Sequence, residues 1–382
     1  MLSLGAMKIG FLINYFYPFL GGAESNCFYL AKELVKKGHE VHIFTSDRKN
    51  NKILTKEEMV DGIHIHRSKT WFRYKYYLVF TPGLLTNVLR YDLDVLHLHS
   101  FGFLYHDFVA LVKKIKHKTK LVNTPHGPFM ALKEYSPIER ILKTLVSRFE
   151  KISNRFYDAV IEVNPTQKSW LTKYGIKKNK IFFVPNGISE ESFKKSNPNL
   201  IKKYNLKNKF ILTYIGRVQK YKGLDQVLRI LPYFNNIVFV IIGENADDKE
   251  RLVSLIQKLK IKEKVIFTGR ISENTKSSLL DASKVFILPS EWEAFGITIL
   301  EAMARGNTII STTTEGGKFL VGKENGFLYE FGDTGELRLI LEKIIRNPKI
   351  LETIGENNEK KSLNFKWSKI VNLLEDVYAK IS

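Results

Sequence analysis

The chain has 382 residues, of which 44% are hydrophobic, 26% are charged and 12% are aromatic. This composition is typical of two or three globular domains and excludes disordered, collagen-like and acidic-tail proteins. Lys and Arg outnumber Asp and Glu by 60 to 39, a net charge of +21 that favours an anionic partner, and the single cysteine, Cys27, excludes a disulfide framework or a cysteine-rich zinc module.

The first half of the chain alternates short apolar runs with amphipathic stretches. The run at 8–14 predicts a strand covered on both faces. The stretch 9–20 has the hydrophobicity of a signal peptide, but Asn14 and Pro18 interrupt it and no small-residue cleavage site follows. The same patterns predict helices over 23–37, 103–116 and 137–156, and strands at 40–45, 94–99, 120–124, 159–163 and 180–184.

The second half repeats this alternation after a polar stretch at 189–206. Alternating strands and helices form parallel sheets with right-handed crossovers. The predicted fold class is therefore α/β, with two doubly wound Rossmann-like domains facing across a cleft, and no run reaches the ~18 apolar residues of a membrane-spanning helix. The strands are predicted at 210–215, 237–242, 264–268, 284–289 and 307–311, and the helices at 223–231, 248–259, 275–281 and 295–305.

Charged residues collect where strands are predicted to end, which is where doubly wound folds bind ligands. Arg217 and Lys222 follow the strand 210–215, and two cations at the start of a helix can neutralise a diphosphate. Taken alone, they are better explained as solvated loop residues. Further along, Glu293 and Glu301 flank a predicted helix start at Gly296, where the backbone can approach an anionic ligand.

The segment 289–306 around these two glutamates resembles the Glu-x7-Glu signature of retaining glycosyltransferases of family 4, which have the GT-B fold. Other segments are similar to motifs of that family in the same order, so the resemblance covers nearly the whole chain. These segments are Gly21-Gly22-Ala23-Glu24, His126-Gly127, Pro185-Asn186-Gly187-Ile188, Gly216-Arg217 with Lys222-Gly223, and Asn325-Gly326-Phe327-Leu328.

The resemblance implies roles for residues of the second half. Glu293 would contact the hydroxyls of the donor sugar, and Glu301 would bind the ribose of its nucleotide. Arg217 and Lys222 would hold the diphosphate leaving group. The backbone N–H groups around Phe295, Gly296 and Ile297, at the start of the helix, would help to hold the diphosphate.

In the first half, the resemblance implies that His126 lies beside the donor sugar, near its anomeric carbon. Gly22 would let its loop approach the phosphates, and Asn186 belongs to the Pro-Asn-Gly loop near the hinge. Two positions depart from the family pattern. Ser189 stands where an Asp is frequent, and Asn307 stands in a Gly-x-x turn where the family usually has Gly-x-Pro.

From the resemblance we expect an acceptor-binding domain at 1–188, a donor-binding domain at 189–364 and a helix at 365–382 that crosses back to the first domain. The expected enzyme moves a sugar from a nucleotide diphosphate-sugar to an acceptor hydroxyl with retention of configuration. It would act in glycolipid, cell-surface polysaccharide or glycoprotein glycan synthesis. Neither a metal nor a cofactor is expected beyond the donor substrate itself.

Two other functions remain compatible with the sequence. A nucleic-acid-binding function would explain the net positive charge, but a protein of that kind does not need Glu293 and Arg217 together. The second alternative is a nucleotide-sugar-binding protein without transfer activity; the intact set of Glu293, Glu301, Arg217 and Lys222 argues against both. His97 and His99 alternate along a strand end, a spacing that suits a metal site, but with no neighbouring carboxylate or cysteine pattern we expect packed histidines.

Residues 1–200 carry 31 basic and 17 acidic residues, a net charge of +14. An aromatic-basic segment at 71–77 and a lysine run at 113–120 both suit an anionic membrane face, and also single-stranded nucleic acid. We expect a cytoplasmic enzyme in peripheral contact with the membrane, where a lipid-linked or phosphorylated acceptor is presented, and no nucleic-acid partner.

Overall fold

The structure, a computed structural model, describes residues 5–18, 21–49, 52–74, 78–126 and 137–382. Gly127 of the His-Gly motif and residues 75–77 of the aromatic-basic segment lie outside the described residues. The chain forms two compact units, one ending at Asn186 but joined by Trp367–Ser382, the other comprising Gly187–Lys366. These divisions lie two residues from the expected boundaries at 188/189 and 364/365.

The N-terminal domain is built on an eight-stranded sheet whose neighbouring strands are parallel except for the pairing of β5 with β6. Its strand order is β12-β11-β10-β9-β1-β2-β6-β5. In chain order, the strands of this domain are β1 (Lys8–Leu12), β2 (Glu40–Ser46), β3 (Arg48–Lys49), β4 (Lys52–Ile53), β5 (Glu57–Val60), β6 (Ile63–Ser68), β7 (Phe72–Tyr74), β8 (Leu78–Phe80), β9 (Val95–Leu98), β10 (Lys120–Asn123), β11 (Ala159–Glu162) and β12 (Ile181–Phe183). Of these, β3 pairs with β4 and β7 with β8 in two separate two-stranded sheets.

Both faces of this sheet are covered, which is why most residues of its inner strands are buried. Alternate residues of β1 point into two different cores: Ile9 and Phe11 into one, Leu12 into the other. Each core buries several further side chains, so one strand holds both layers together. The helices are α1 (Gly22–Lys36), α2 (Gly83–Leu89), α3 (Leu104–His117), α4 (Pro137–Ser153) and α5 (Lys168–Lys173).

The C-terminal domain has a six-stranded, fully parallel sheet with the order β15-β14-β13-β16-β17-β18. This order reverses between β13 and β16, the place where doubly wound sheets bind ligands. The elements are β13 (Phe210–Ile215), β14 (Ile237–Ile242), β15 (Val265–Gly269), β16 (Val285–Leu288), β17 (Thr308–Thr312), β18 (Gly326–Tyr329), α6 (Leu224–Ile230), α7 (Lys249–Leu259), α8 (Glu273–Ala282), α9 (Ile297–Met303), α10 (Glu315–Leu320), α11 (Thr334–Arg346) and α12 (Lys349–Ser362).

The helix α13 (Trp367–Ile381) packs on the N-terminal domain, although the chain has by then passed through the whole C-terminal domain. Trp367 stacks on Tyr29 of α1, with ring centroids 5.8 Å apart. Tyr378 is fully buried, and its hydroxyl lies 2.7 Å from Nδ1 of His97. Within the described part of the chain, no helix combines the length and hydrophobicity needed to cross a membrane.

The α/β fold with two Rossmann-like parallel sheets is confirmed. The sequence did not predict the edge of the first sheet, where the antiparallel β5 covers β6. β5 reads Glu-Glu-Met-Val and alternates between exposed and half-buried positions, so it lacks the continuous apolar pattern of the inner strands. Short, charged edge strands of this kind protect a sheet from pairing with other chains.

Candidate functional site

Two loops of the C-terminal domain meet where its strand order reverses. One follows β13 and carries Arg217 and Lys222; the other follows β16 and carries Glu293. β13 and β16 are hydrogen-bonded neighbours, with Leu212 opposite Val285, so their carboxyl ends are side by side. Residues about seventy positions apart in sequence are thereby brought to one edge of one sheet.

The loop after β13 is held to the loop after β16 by backbone contacts. The N–H of Glu291 donates to the carbonyl oxygen of Tyr221 at 2.7 Å. At Gly223 the backbone is left-handed, with φ +63°, and a Cβ there would lie 2.3 Å from the carbonyl oxygen of Pro289. Only glycine fits this turn, since any side chain would push the two loops apart.

Gln226 fixes the same turn through hydrogen bonds of its side chain, a role that no sequence motif indicated. Its buried amide donates to the carbonyl oxygen of Pro289 at 2.9 Å and accepts from the N–H of Gly332 at 2.7 Å. One side chain therefore connects α6 with the ends of β16 and β18. Three loops around the site are held at fixed positions as a result.

Arg217 and Lys222 differ in exposure. Arg217 is exposed, and its carbonyl oxygen accepts a hydrogen bond from the buried Tyr214 hydroxyl at 3.0 Å, which fixes the backbone of the loop. Lys222 is largely buried and its Nζ lies 2.7 Å from Oε2 of Glu293. Burial lowers the pKa of Lys222, but the Glu293 carboxylate more than compensates, so that this pKa lies above its usual value.

The ion pair between Lys222 and Glu293 joins two residues to which the resemblance assigns separate roles, in diphosphate binding and in sugar binding. The side chains are only 13% and 20% exposed, so water screens their attraction weakly. The positive charge of Arg217 opposes the rise in the pKa of Lys222, because like charges repel. The three groups form one electrostatic unit with a net positive charge, suited to an anion that approaches from solvent.

Glu301 is likewise paired, with a lysine that the sequence patterns did not single out. Lys276 of α8 is mostly buried, with its Nζ 2.9 Å from Oε1 of Glu301 and 2.7 Å from an oxygen of Glu273. These carboxylates raise the pKa of Lys276 against the effect of burial, so the group stays charged. The contact with Lys276 involves Oε1 of Glu301, and nothing in the sequence around position 276 signals it.

The helix α9 begins at Ile297 and has seven residues, so it is shorter than the predicted 295–305. Gly296 caps it in a left-handed conformation, with φ +84°. Phe295 is buried against Phe319 and Phe365, which means that only its backbone can face a ligand. Because the first N–H groups of a helix have no intrahelical acceptor, Gly296 and Ile297 present donors at the loop.

In the N-terminal domain, Gly22 is the first residue of α1, and a Cβ there would meet no atom of the described residues within 4 Å. Asn186 is buried, and its side-chain oxygen accepts a hydrogen bond from the amide of Asn26 on α1 at 2.6 Å. Asn186 thus has a structural partner within its own domain.

His126 follows β10 and has a left-handed backbone, with φ +55°. Its Nε2 lies 2.9 Å from Nδ1 of His99, and the two rings stack at 5.1 Å. One of these nitrogens donates and the other accepts, so the pair fixes the orientation of the His126 ring. Burial lowers the pKa of His126 to about 4, which leaves it neutral at physiological pH.

His97 and His99 do not form a metal site. His97 is fully buried between the Tyr378 hydroxyl and the Thr124 hydroxyl, each 2.7 Å away, as expected for a packed histidine. His99 contacts His126 instead. No group of three or more histidine, cysteine, aspartate or glutamate side chains suited to a metal occurs among the residues that the structure describes.

The lysine run at 113–120 does not form a continuous basic surface, so it supports membrane contact less than its sequence suggests. Lys113 is fully buried and its Nζ donates to the Tyr91 carbonyl oxygen. Lys114 pairs with Asp158 at 2.6 Å. Of its five lysines only Lys116 and Lys118 are exposed, since Lys113 lies on the inner face of α3 and Lys120 belongs to β10.

Two family descriptions match the chain, one in each half. "Glycosyltransferase Family 4" matches residues 20–192 and "Glycosyl transferases group 1" matches residues 196–361. The chain is 26% identical to N-acetyl-alpha-D-glucosaminyl L-malate synthase of Bacillus anthracis, over 97% of this chain and 96% of that protein. It is 25% identical to a phosphatidylinositol N-acetylglucosaminyltransferase of Arabidopsis thaliana, over 97% of this chain and 81% of that protein.

Among solved structures, Anabaena HepE in complex with UDP and glucose has the same fold. The two superpose with a TM-score of 0.80 at 19% identity, over 98% of this chain and 100% of that one.

Proposed function

The chain is a glycosyltransferase with the GT-B fold, and from this premise we propose that it transfers a sugar, with retention of configuration and without a metal ion, from a nucleotide diphosphate-sugar to an acceptor hydroxyl. The C-terminal domain would bind the donor and the N-terminal domain the acceptor. The observation that carries the proposal is the electrostatic unit of Arg217, Lys222 and Glu293 at the reversal of strand order in the C-terminal sheet.

The rate enhancement would come from stabilisation of the leaving group. As the bond between the anomeric carbon and the diphosphate oxygen breaks, negative charge accumulates on the diphosphate. Arg217 can form two parallel hydrogen bonds to phosphate oxygens, and Lys222 adds a charge in a largely buried position. Donors at Gly296 and Ile297 supply further hydrogen bonds that require no rearrangement during the reaction.

Glu293 would accept hydrogen bonds from the sugar hydroxyls and favour the positive charge that develops on the sugar. Its link to Lys222 couples sugar binding to diphosphate binding. The acceptor oxygen would attack the anomeric carbon from the face that the diphosphate leaves, and the departing phosphate oxygen would take the acceptor's proton. This proposal assigns no nucleophile to the enzyme, and the neutral His126 would contribute hydrogen bonding beside the sugar.

The similar proteins support a choice of substrates to test first. Two relatives carry N-acetylglucosamine in their names, and the HepE complex holds UDP, so a UDP-linked N-acetylhexosamine is the first donor candidate. The name of one relative includes phosphatidylinositol, which supports a lipid-linked or phosphorylated acceptor. Such an enzyme would act in glycoconjugate synthesis.

Calorimetric titration of the purified chain with UDP-N-acetylglucosamine, UDP-glucose, GDP-mannose and ADP-glucose identifies the donor. Acceptor trials with that donor follow, with the product's anomeric configuration read by NMR. Tight binding of one nucleotide sugar and formation of a product with the donor's configuration are expected. Binding without transfer to any acceptor would favour a nucleotide-sugar sensor, and an inverted product would contradict the retaining mechanism.

A further inference from the structure

The outer face of α4 carries a continuous apolar stripe. Ile141, Leu145 and Phe149 follow each other at four-residue spacing, and Ile152 lies on the same side. These side chains are 62%, 56%, 46% and 56% exposed, and Phe156, in the short 3-10 turn that continues the helix, is 43% exposed. Single exposed apolar residues are ordinary, but five along one face mark an interaction surface.

The other face of α4 is accounted for by contacts within the domain. Glu150, Ser153 and Asn154 are buried. A carboxylate oxygen of Glu150 accepts a hydrogen bond from the N–H of Gly102 at 2.7 Å, and the Asn154 amide donates to the Tyr174 carbonyl oxygen at 3.0 Å. The helix is therefore anchored on its inner side, and the stripe is not its core-facing side.

Cations run along one flank of the stripe. Arg148, Lys151 and Arg155 recur at spacings of three and four residues, and Arg140 lies near the start of the helix; all four are exposed. The part of the chain that the structure describes offers none of these four side chains a carboxylate partner. An apolar stripe flanked by exposed cations is complementary to a partner that has an apolar interior and an anionic surface.

A surface pocket at the end of α4 extends this charge. It is lined by Asn154, Arg155, Gly175, Lys177 and Lys180. The Lys180 ammonium is held at the pocket by the Tyr157 carbonyl oxygen, 2.6 Å away. Three cations around one concave surface suit the phosphate of a lipid headgroup, next to the apolar side chains that would enter the acyl region.

We propose that the stripe and its flanking cations seat the N-terminal domain on a bilayer that contains anionic lipids. A second copy of the chain is the less suitable occupant, because two such faces would bring their cations together in a protein that already carries a net charge of +21. The inference rests on the proposed function only for the lipid-linked acceptor; the surface itself is independent of the donor site.

The test is cosedimentation of the full chain with phosphatidylcholine vesicles at low and high salt, with and without about 30% phosphatidylserine, enough to give a strong surface potential. Three variants are compared with the wild type: Leu145→Gln with Phe149→Gln; Arg148→Gln with Lys151→Gln and Arg155→Gln; and the control Leu339→Gln. Leu339 is 59% exposed on α11 of the other domain. A further control, Lys116→Gln with Lys118→Gln, tests the exposed lysines of the 113–120 run. Circular dichroism and sedimentation velocity report folding and oligomeric state.

Binding to anionic but not neutral vesicles at low salt is expected, with release at high salt. The triple cation variant should lose affinity by on the order of a hundredfold and the stripe variant by at least about tenfold, while both controls remain within about twofold of wild type. Equal binding by the stripe variant and the wild type overturns the proposal, as does failure of the wild type to bind. A stripe variant that instead converts a dimer to a monomer overturns it too, and identifies a second copy as the occupant. Donor binding, measured by calorimetry, is not expected to depend on α4. It therefore shows separately whether the proposed function fails.

Discussion

The ammonium of Lys222 lies 2.7 Å from the carboxylate of Glu293, so the cation expected to hold the leaving group and the anion expected to hold the sugar already form one pair. Neither side chain is more than 20% exposed. Removal of one partner therefore leaves the other largely buried and unpaired. Because of this ion pair, mutations of different residues at the site should have different effects.

Arg217→Ala and Lys222→Ala should each lower kcat/KM by roughly 10²–10³, the usual effect of removing one charge-assisted contact to a transition state. Only Lys222→Ala should also lower the melting temperature, because it leaves Glu293 without its partner. Arg217 is exposed, and its substitution should leave the melting temperature unchanged. Steady-state kinetics and calorimetry measure both effects. Near-wild-type turnover in a folded double variant would rule out the phosphate-binding role.

Glu293→Gln should reduce transfer more than it reduces affinity for the free nucleotide diphosphate. The amide keeps the size of the side chain but loses the charge that favours a developing positive sugar. Glu301→Ala should have the opposite profile, with weaker nucleotide binding. Titration with UDP beside single-turnover rates separates the two effects. Equal losses of UDP affinity in both variants would contradict this division of roles.

Lys276→Met should weaken nucleotide binding by about tenfold, since it frees the Glu301 carboxylate from the contact that orients it. The variant Lys258→Met, at an exposed position of α7, is the matched control and should bind the nucleotide like wild type. Calorimetric titration with UDP provides the measurement. If both variants bind equally well, Lys276 has no positioning role.

Transfer should not depend on a divalent cation, because Arg217, Lys222 and the helix start can stabilise the leaving group as fixed charges and dipoles. Activity in the presence of EDTA should equal activity with added Mg²⁺ or Mn²⁺. A rate abolished by EDTA and restored by either ion contradicts the proposed mechanism.

The N-terminal domain should lose stability in acid. Burial lowers the pKa of His97 to about 3, below the ordinary 6.5 of an unfolded chain. As pH falls from 6.5 towards 3, the unfolded state takes up a proton that the folded state excludes, so the free energy of unfolding decreases. The slope from this one group approaches about 1.4 kcal/mol per pH unit at its steepest, the value for one proton.

Urea unfolding between pH 7 and pH 4.5 measures this slope, and His97→Gln should make it shallower. His106 and His126, whose pKa values burial lowers to about 3 and about 4, should maintain part of the slope in this variant. An unchanged slope in the variant means that His97 is not the group excluded from protonation.

The repeating architecture could be predicted because inner parallel strands are continuous apolar runs, as in β14, where every residue is apolar and buried. The ion pairs between side chains of the site could not be predicted in this way. Lys276 and Glu301 lie 25 positions apart on different helices, and only the packing of α8 beside α9 brings them together. A local pattern carries no information about such a contact.

The burial of Lys113, by contrast, follows from a pattern that the sequence contains. His106, Val109, Ala110 and Lys113 follow the i, i+3, i+4, i+7 spacing of one helix face, and all four are buried. The charge of the lysine conceals this periodicity when the run 113–120 is considered by itself. The stripe on α4 shows the reverse case, since its apolar residues have the spacing of a core-facing side and are nevertheless exposed.

The position of α13 determines the order in which the two domains can be completed during synthesis. The core of the N-terminal domain includes Trp367, Leu374 and Tyr378, which the ribosome adds only after residues 187–366. The C-terminal domain is one continuous segment and can close its core while the first domain still lacks a helix. Translation thus completes the second domain before the first, and a fragment that stops at Asn186 exposes the surface that α13 would cover.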